Sequence, residues 1–259
     1  MAEPGGNLEH LLAQSFAWVA YAMLALAPVV FILLLKISAP YGRHIRSGWG
    51  PSLGSRAGWF LMESPAVLIF GGILLCFADL NATALVFLLM WQVHYFHRAF
   101  VYPWTLDKGK SMPWLICLMA VVFNTANAYL NAWSIAAQSD KYLDAWLGSP
   151  QFIVGALLFV AGMSLNKVSD RQLARIRRSG TGYQVPHGGM YRWVSCPNYL
   201  GEIIQWVGWA VAVWSLAGWI FAIWTIANLA PRAITHHRWY RETFKDYPKS
   251  RRALIPFCL

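Results

Sequence analysis

Glu63 and Tyr95 are polar side chains set inside apolar runs. Glu63 lies about five residues inside the start of Trp59–Phe77, and Tyr95 about six before the end of Ala82–Val101. If the two runs cross a membrane in opposite directions, a rise of ~1.5 Å per residue puts both some ~8–9 Å inside the same boundary. Neighbouring helices would then hold them side by side. A carboxyl taken out of water tends to keep its proton, and an intramembrane carboxyl is costly enough that a functional role is the default expectation. A Glu–Tyr pair sharing a proton is an acid able to polarise a ketone oxygen. A structural hydrogen bond between two helices would use the same residues.

Three more polar sets fall where apolar runs meet basic segments. Asn166 and Asp170 stand four apart, as do Asn198 and Glu202, so each pair shares a helical face. Arg232, His236 and Tyr240 extend one stripe in the same way. Any one pair suits the ordinary capping of a helix end. Together, amides, carboxylates, cations and a phenol form a ring able to bind the amide, ribose and phosphate groups of a dinucleotide. No GxGxxG motif follows a strand, so such a site is non-Rossmann. His94, His97, His236 and His237 lack the carboxylate or cysteine that would complete a metal set, and no metal is expected. The four cysteines are scattered without metal or redox spacing. Asn124, Asn127 and Asn131 recur at helical spacing and suit hydrogen bonding between helices, or the lining of a substrate cavity.

Positioning these groups falls to long apolar runs. Charged residues are 12% of the chain, about half the share in soluble domains, which excludes an ordinary soluble enzyme. The runs are Phe16–Leu35, Trp59–Phe77, Ala82–Val101, Trp114–Trp133, Phe152–Leu165 and Tyr199–Ala230. A span takes about 20 residues. The fifth run needs its polar continuation, expected to stay helical to Arg178 and break at Ser179–Gly182. The last run is too long and is expected to split into two helices around Ser215–Gly218. The fold expected is an all-α integral membrane protein, a seven-transmembrane-helix bundle forming a single domain over 1–259, with no linker or internal repeat. A tail helix should run to about Phe244.

Alternate loops hold 20 of the 21 basic residues, and the opposite side has only Lys141. The positive-inside rule then puts the N-terminus outside and the C-terminus in the cytoplasm. The net charge of +10 is explained by topology, so no nucleic-acid partner is expected. The first apolar run lacks a basic leader and is expected to be a span, not a cleaved signal. Bacterial inner membrane and endoplasmic reticulum both suit the pattern.

At these residues the chain resembles the steroid 5α-reductase (3-oxo-5α-steroid 4-dehydrogenase) family. The resemblance runs over Gly58-Trp59-Phe60-Leu61-Met62-Glu63, His94-Tyr95-Phe96-His97-Arg98, Pro186–Tyr191 and Val194–Glu202. It continues over His236–Tyr240 and Asp246–Phe257. It covers the chain from about residue 57 onward, and the tail is its most specific part. It implies a seven-helix membrane enzyme that uses NADPH to reduce the carbon–carbon double bond of a 4-ene-3-oxo steroid. The substrate would enter from lipid, the enzyme would act as a monomer, and the catalytic and cofactor part would cover about 110–259. By position, Glu63 and Tyr95 would hold the 3-keto oxygen. Lys110, Asn166, Asp170, Arg177, Asn198, Glu202, Arg232, His236, Tyr240 and Arg251 would line the cofactor, with Arg98 supporting that wall. Arg171, Arg175 or Arg178 are alternatives to Arg177 for the 2′-phosphate.

Other readings stay open. An isoprenylcysteine-type membrane methyltransferase shares the Gly-x-Tyr…Pro-x-Tyr-x-Gly-Glu skeleton seen in Gly189–Glu202. Such proteins usually carry Arg-His-Pro where this chain has Ser195-Cys196-Pro197, and they lack the Glu63/Tyr95 pair. Reduction of an enoyl thioester or a polyprenol, and non-catalytic sterol binding, are the remaining alternatives.

Overall fold

The computed structural model describes residues 4–40, 44–106, 111–178 and 182–259. Among them the chain forms seven α-helices: α1 Pro4–Lys36, α2 Ser55–Phe77, α3 Ala82–Phe96, α4 Trp114–Ala136, α5 Pro150–Arg178, α6 Pro197–Val213 and α7 Leu216–Thr243. Asn7–Lys36, α2, α4 and α5 are long and apolar enough to cross a membrane. At 15 and 17 residues, α3 and α6 fall short of that length, and α7 carries Asn228, Pro231 and Arg232 within its apolar stretch. Large apolar side chains such as Leu68, Leu89, Val122 and Leu157 face outward on α2 to α5, as helices solvated by lipid require.

The expected break in the last apolar run is present one residue earlier than its sequence signal. Val213 ends α6, Trp214 turns left-handed at φ 47°, and the Ser215 hydroxyl accepts from the Gly218 amide to start α7. The apolar and polar parts of α5 form one helix to Arg178, and the expected break at Ser179–Thr181 lies outside the described residues.

Two features depart from the sequence expectation. The helix expected to run to Val101 is α-helical only to Phe96 and then widens into a π-turn over His97–Val101. Such turns admit an extra residue per turn and concentrate at functional positions; here the turn carries Arg98. The all-α fold also carries one small β-pair. β1 Ser52–Gly54 pairs antiparallel with β2 Ser111–Pro113, Leu53 opposite Met112, which ties together the starts of α2 and α4.

Helix contacts explain the fixed geometry. Gly155 and Gly162 of α5 meet Gly201 and Gly208 of α6 at seven-residue spacing. A Cβ on Gly162 would stand 2.3 Å from the Gln205 nitrogen, and one on Gly208 2.4 Å from the Phe159 nitrogen. Backbone lies on backbone, as close packing in membranes favours. Beside this seam an aromatic core fills the centre. Phe70 stacks on Trp91 at 4.3 Å, and Trp206 meets Phe221 at 4.2 Å. The Trp91 indole donates to the Ala66 carbonyl and joins α3 to α2. Asn131 accepts from the Trp209 indole and donates to the Ala217 carbonyl, linking α4 to α6 and α7 as the asparagine spacing suggested.

Candidate active site

One end of the bundle encloses a cavity of about 770 Å³, within the range of cofactor sites. Its walls come from the segment after α1, the π-turn after α3, the polar half of α5, the start of α6 and the last third of α7. Arg98, Asp170, Arg177, Asn198, Glu202, Arg232, His236 and Tyr240 all line it. So do Arg171, Arg175 and Arg178, which leaves all four candidates for a phosphate partner in place.

Hydrogen bonds give this wall its order. The Asn198 amide donates to Asp170 Oδ1 at 3.1 Å, while Asn166 donates to the Asn198 carbonyl at 3.0 Å and to Glu202 Oε2 at 3.4 Å. The two Asn–acid pairs therefore interlock across the α5–α6 seam. Asn166 is buried behind the cavity and positions the residues that line it. On α7, Arg232 donates to Asn228 Oδ1 at 3.0 Å and to the Tyr199 hydroxyl at 3.1 Å, with its guanidinium 5.1 Å from the Tyr199 ring centre. His236 Nε2 is 3.1 Å from the same hydroxyl, and His44 stacks on His236 at 5.2 Å.

Glu63 and Tyr95 do not line this cavity. Both are buried, 7% and 3% exposed, in the layer behind it. Among the described residues Glu63 is bonded to Asn124 at 3.3 Å and paired with Arg98 at 3.6 Å, not hydrogen-bonded to Tyr95. Arg98 joins the expected Glu63–Tyr95 group, lying between Glu63 and Glu202. Arg98 also reaches Glu202 at 3.6 Å, and it lies over the Trp59 ring at 4.7 Å. Tyr95 lies within electrostatic range of Glu63, Glu202 and Arg98, and it packs on Trp91 and His94. One cation thus spans from the buried acid to the cavity wall.

Lys110 lies outside the described residues. Arg251 is buried away from the cavity. It donates to the Pro186 carbonyl at 3.2 Å and lies over the Tyr247 ring at 4.9 Å. Tyr247 in turn stacks on Tyr240 at 5.4 Å, so Arg251 supports the wall through two rings. Burial pushes the Tyr247 phenol up from its ordinary range, against its bond to Ser195. Among the described residues no group of three His, Cys, Asp or Glu side chains could hold a metal ion.

Three residues outside the expected site set also line the cavity: Lys167, which bonds to His97 at 2.7 Å, Tyr199 and His44. A signal for Lys167 existed: it stands three residues before Asp170, on the face that also carries Arg171. Two prolines were further pointers. Pro65 follows Glu63 by two residues and Pro231 precedes Arg232, so both polar positions adjoin a proline inside a continuous helix. Ser64 donates to the Leu61 carbonyl that Pro65 leaves without an amide partner.

Fold and site together define an all-helical membrane protein with a basic, carboxylate-bearing chamber at one end and a buried acid–tyrosine group behind it. The chain belongs to the 3-oxo-5-alpha-steroid 4-dehydrogenase family, an oxidoreductase family whose model matches residues 110–259. It is 40% identical over 254 residues to steroid 5-alpha-reductase DET2 of Arabidopsis thaliana, covering 93% of this chain and 96% of that one. It is 40% identical to 3-oxo-5-alpha-steroid 4-dehydrogenase 1 of Bos taurus (92% and 95% covered), and 38% identical to that of Homo sapiens (99% of each).

Proposed function

We propose that this protein reduces the C4=C5 double bond of a 3-oxo-4-ene steroid with NADPH. The observation that carries this reading is Arg98, paired at 3.6 Å with both Glu63 and Glu202. It couples the buried carbonyl-binding group to a chamber suited to a charged dinucleotide. The donor set fits that cofactor. Arg171, Arg175, Arg177 and Arg178 offer phosphate partners on one helix end, and Arg232 adds a cation opposite. Asn198, Asp170 and Glu202 supply amide and carboxylate groups for ribose or carboxamide. When bound, NADPH supplies the hydride that adds to C5.

The residues of this chain then manage charge and protons. As C5 gains the hydride, the C4=C5 pair shifts toward C3 and negative charge collects on the 3-oxygen. Tyr95 donates its hydroxyl proton's hydrogen bond to that oxygen, and Glu63, oriented by Asn124 and Arg98, acts beside it. Burial of both keeps water from competing for the oxygen. C4 takes a proton from solvent, and the ketone re-forms. The steroid enters sideways from lipid to reach this layer.

In this proposal all seven helices span, α3 and α6 as short spans, with the N-terminus outside and the chamber open to the cytoplasm. The basic ends of α5 and α7 support that direction. The enzyme works as a monomeric single domain, with the cofactor wall drawn from about 110–259.

Purified protein should oxidise NADPH in the presence of testosterone or progesterone and release the 5α-reduced ketone. Oxidation only with an enoyl thioester or polyprenal would reassign the substrate, and methyl transfer from S-adenosylmethionine would replace the reaction class. Asn198→Ala should raise the KM for NADPH roughly tenfold, as loss of one or two charge-assisted hydrogen bonds predicts, and leave the steroid KM within about twofold. Equal rises in both would show that Asn198 serves the fold and not the cofactor.

A further inference from the structure

Beyond α7 the chain folds back into a closed turn. The Leu259 carbonyl accepts from the amides of Leu254 and Ile255, both at 2.6 Å. This turn holds Phe257 at φ 66°, a conformation bulky residues avoid, yet leaves its ring 75% exposed. The ring meets Trp193 at 5.3 Å, itself 49% exposed, and Ile255 is exposed beside them. Arg192 and Arg252 flank the patch and are exposed. The Arg252 amide donates to the Trp193 carbonyl at 2.9 Å, which fixes the two segments together.

The depth of this patch is set by its neighbour. Leu254 is buried in a cluster with Cys196 and with Ala230 and Ala233 of α7, against which Phe31 of α1 packs. Phe31 stands five residues before Lys36, where α1 ends, so about 7.5 Å inside the helix end. The turn therefore lies level with the end of an apolar span, whose Ile32, Leu33 and Leu35 are exposed. An aromatic pair with flanking arginines at this level matches the membrane–water boundary, where rings sit among headgroups and basic side chains meet anionic lipid.

We propose that the C-terminal turn is a membrane-surface anchor. Trp193, Ile255 and Phe257 seat in the bilayer interface on the chamber side, and Arg192 and Arg252 bind anionic phospholipid headgroups. The anchor is tied to the chamber wall, because the Arg252 carbonyl accepts from the Ser195 amide at 2.8 Å and from its hydroxyl at 3.0 Å.

The test uses the full chain in nanodiscs of phosphatidylcholine, with or without phosphatidylglycerol. Cys258 is exposed and takes a spin label once Cys76, exposed elsewhere, is changed to serine; Cys117 and Cys196 are buried. A second label at Ser250→Cys, with Cys258→Ser, reports an exposed tail position outside the patch. The ratio of oxygen to nickel-chelate collisions should be several-fold higher at 258 than at 250. It should rise further with phosphatidylglycerol, and Arg192→Gln with Arg252→Gln should abolish that rise. Equal ratios at both positions, or no response to phosphatidylglycerol, would overturn the proposal. Exclusion of both reagents at 258 would also overturn it, by showing a protein contact such as a second copy.

Discussion

Tyr95→Phe should lower kcat/KM for a 3-oxo-4-ene steroid by about 10²–10³-fold, the usual effect of deleting one donor aimed at a developing oxyanion. The variant keeps the ring contacts to Trp91, His94 and Trp206, so the fold should survive and the NADPH affinity should hardly change. Glu63→Gln should show a loss of the same order, with a higher steroid KM, because it removes the carboxyl group that backs Tyr95 and faces Arg98 at 3.6 Å. The double variant should lose little more than the worse single one, since the two act as a unit. Steady-state kinetics on purified protein measure all three. Full activity in both single variants would remove the proposed roles of these residues.

Arg98→Gln should be damaging in a different way. Its guanidinium is shared between Glu63 and Glu202, and all three side chains are at most 16% exposed. Removing the cation leaves two carboxylates buried without it, a change that costs about 3–5 kcal/mol when one member of a buried pair is lost. We expect a sharply lower Tm in detergent and loss of both steroid and NADPH binding. Arg98→Gln/Glu63→Gln/Glu202→Gln, which removes the charges together, should recover most of the Tm and none of the activity. Recovery of neither would show that Arg98 matters for packing on Trp59 and Tyr102 and not for its charge.

The helices were legible in the sequence because lipid demands long apolar runs, and the turn at Trp214–Ser215 because one run was too long for a single span. The interlocked pairs Asn166–Asp170 and Asn198–Glu202 were legible because a spacing of four fixes a helical face. What spacing cannot convey is the contact between faces. Asn166 and Arg251 share the polar character of the cavity lining, yet each turns to backbone carbonyls behind it. Glu63 and Tyr95 were placed at one depth by counting residues, but counting does not show that Arg98, in the π-turn that begins at His97, reaches both Glu63 and Glu202. A π-turn has no clear mark in residue types. The glycine seam of α5 and α6 did have one, in four glycines at repeats of seven, and it sets how closely the two Asn–acid pairs can approach.

The central claim is that a hydride from NADPH reaches C5 of an enone whose oxygen is held by Tyr95 and Glu63. Its most direct test is NADPH carrying deuterium at the transferable C4 position of the nicotinamide, supplied with testosterone to the wild-type protein. Mass and NMR analysis of the product should find one deuterium at C5 in the 5α configuration, with the proton at C4 drawn from water. Deuterium at C3 of a carbinol, or steroid recovered unlabelled while NADPH is consumed, would contradict it.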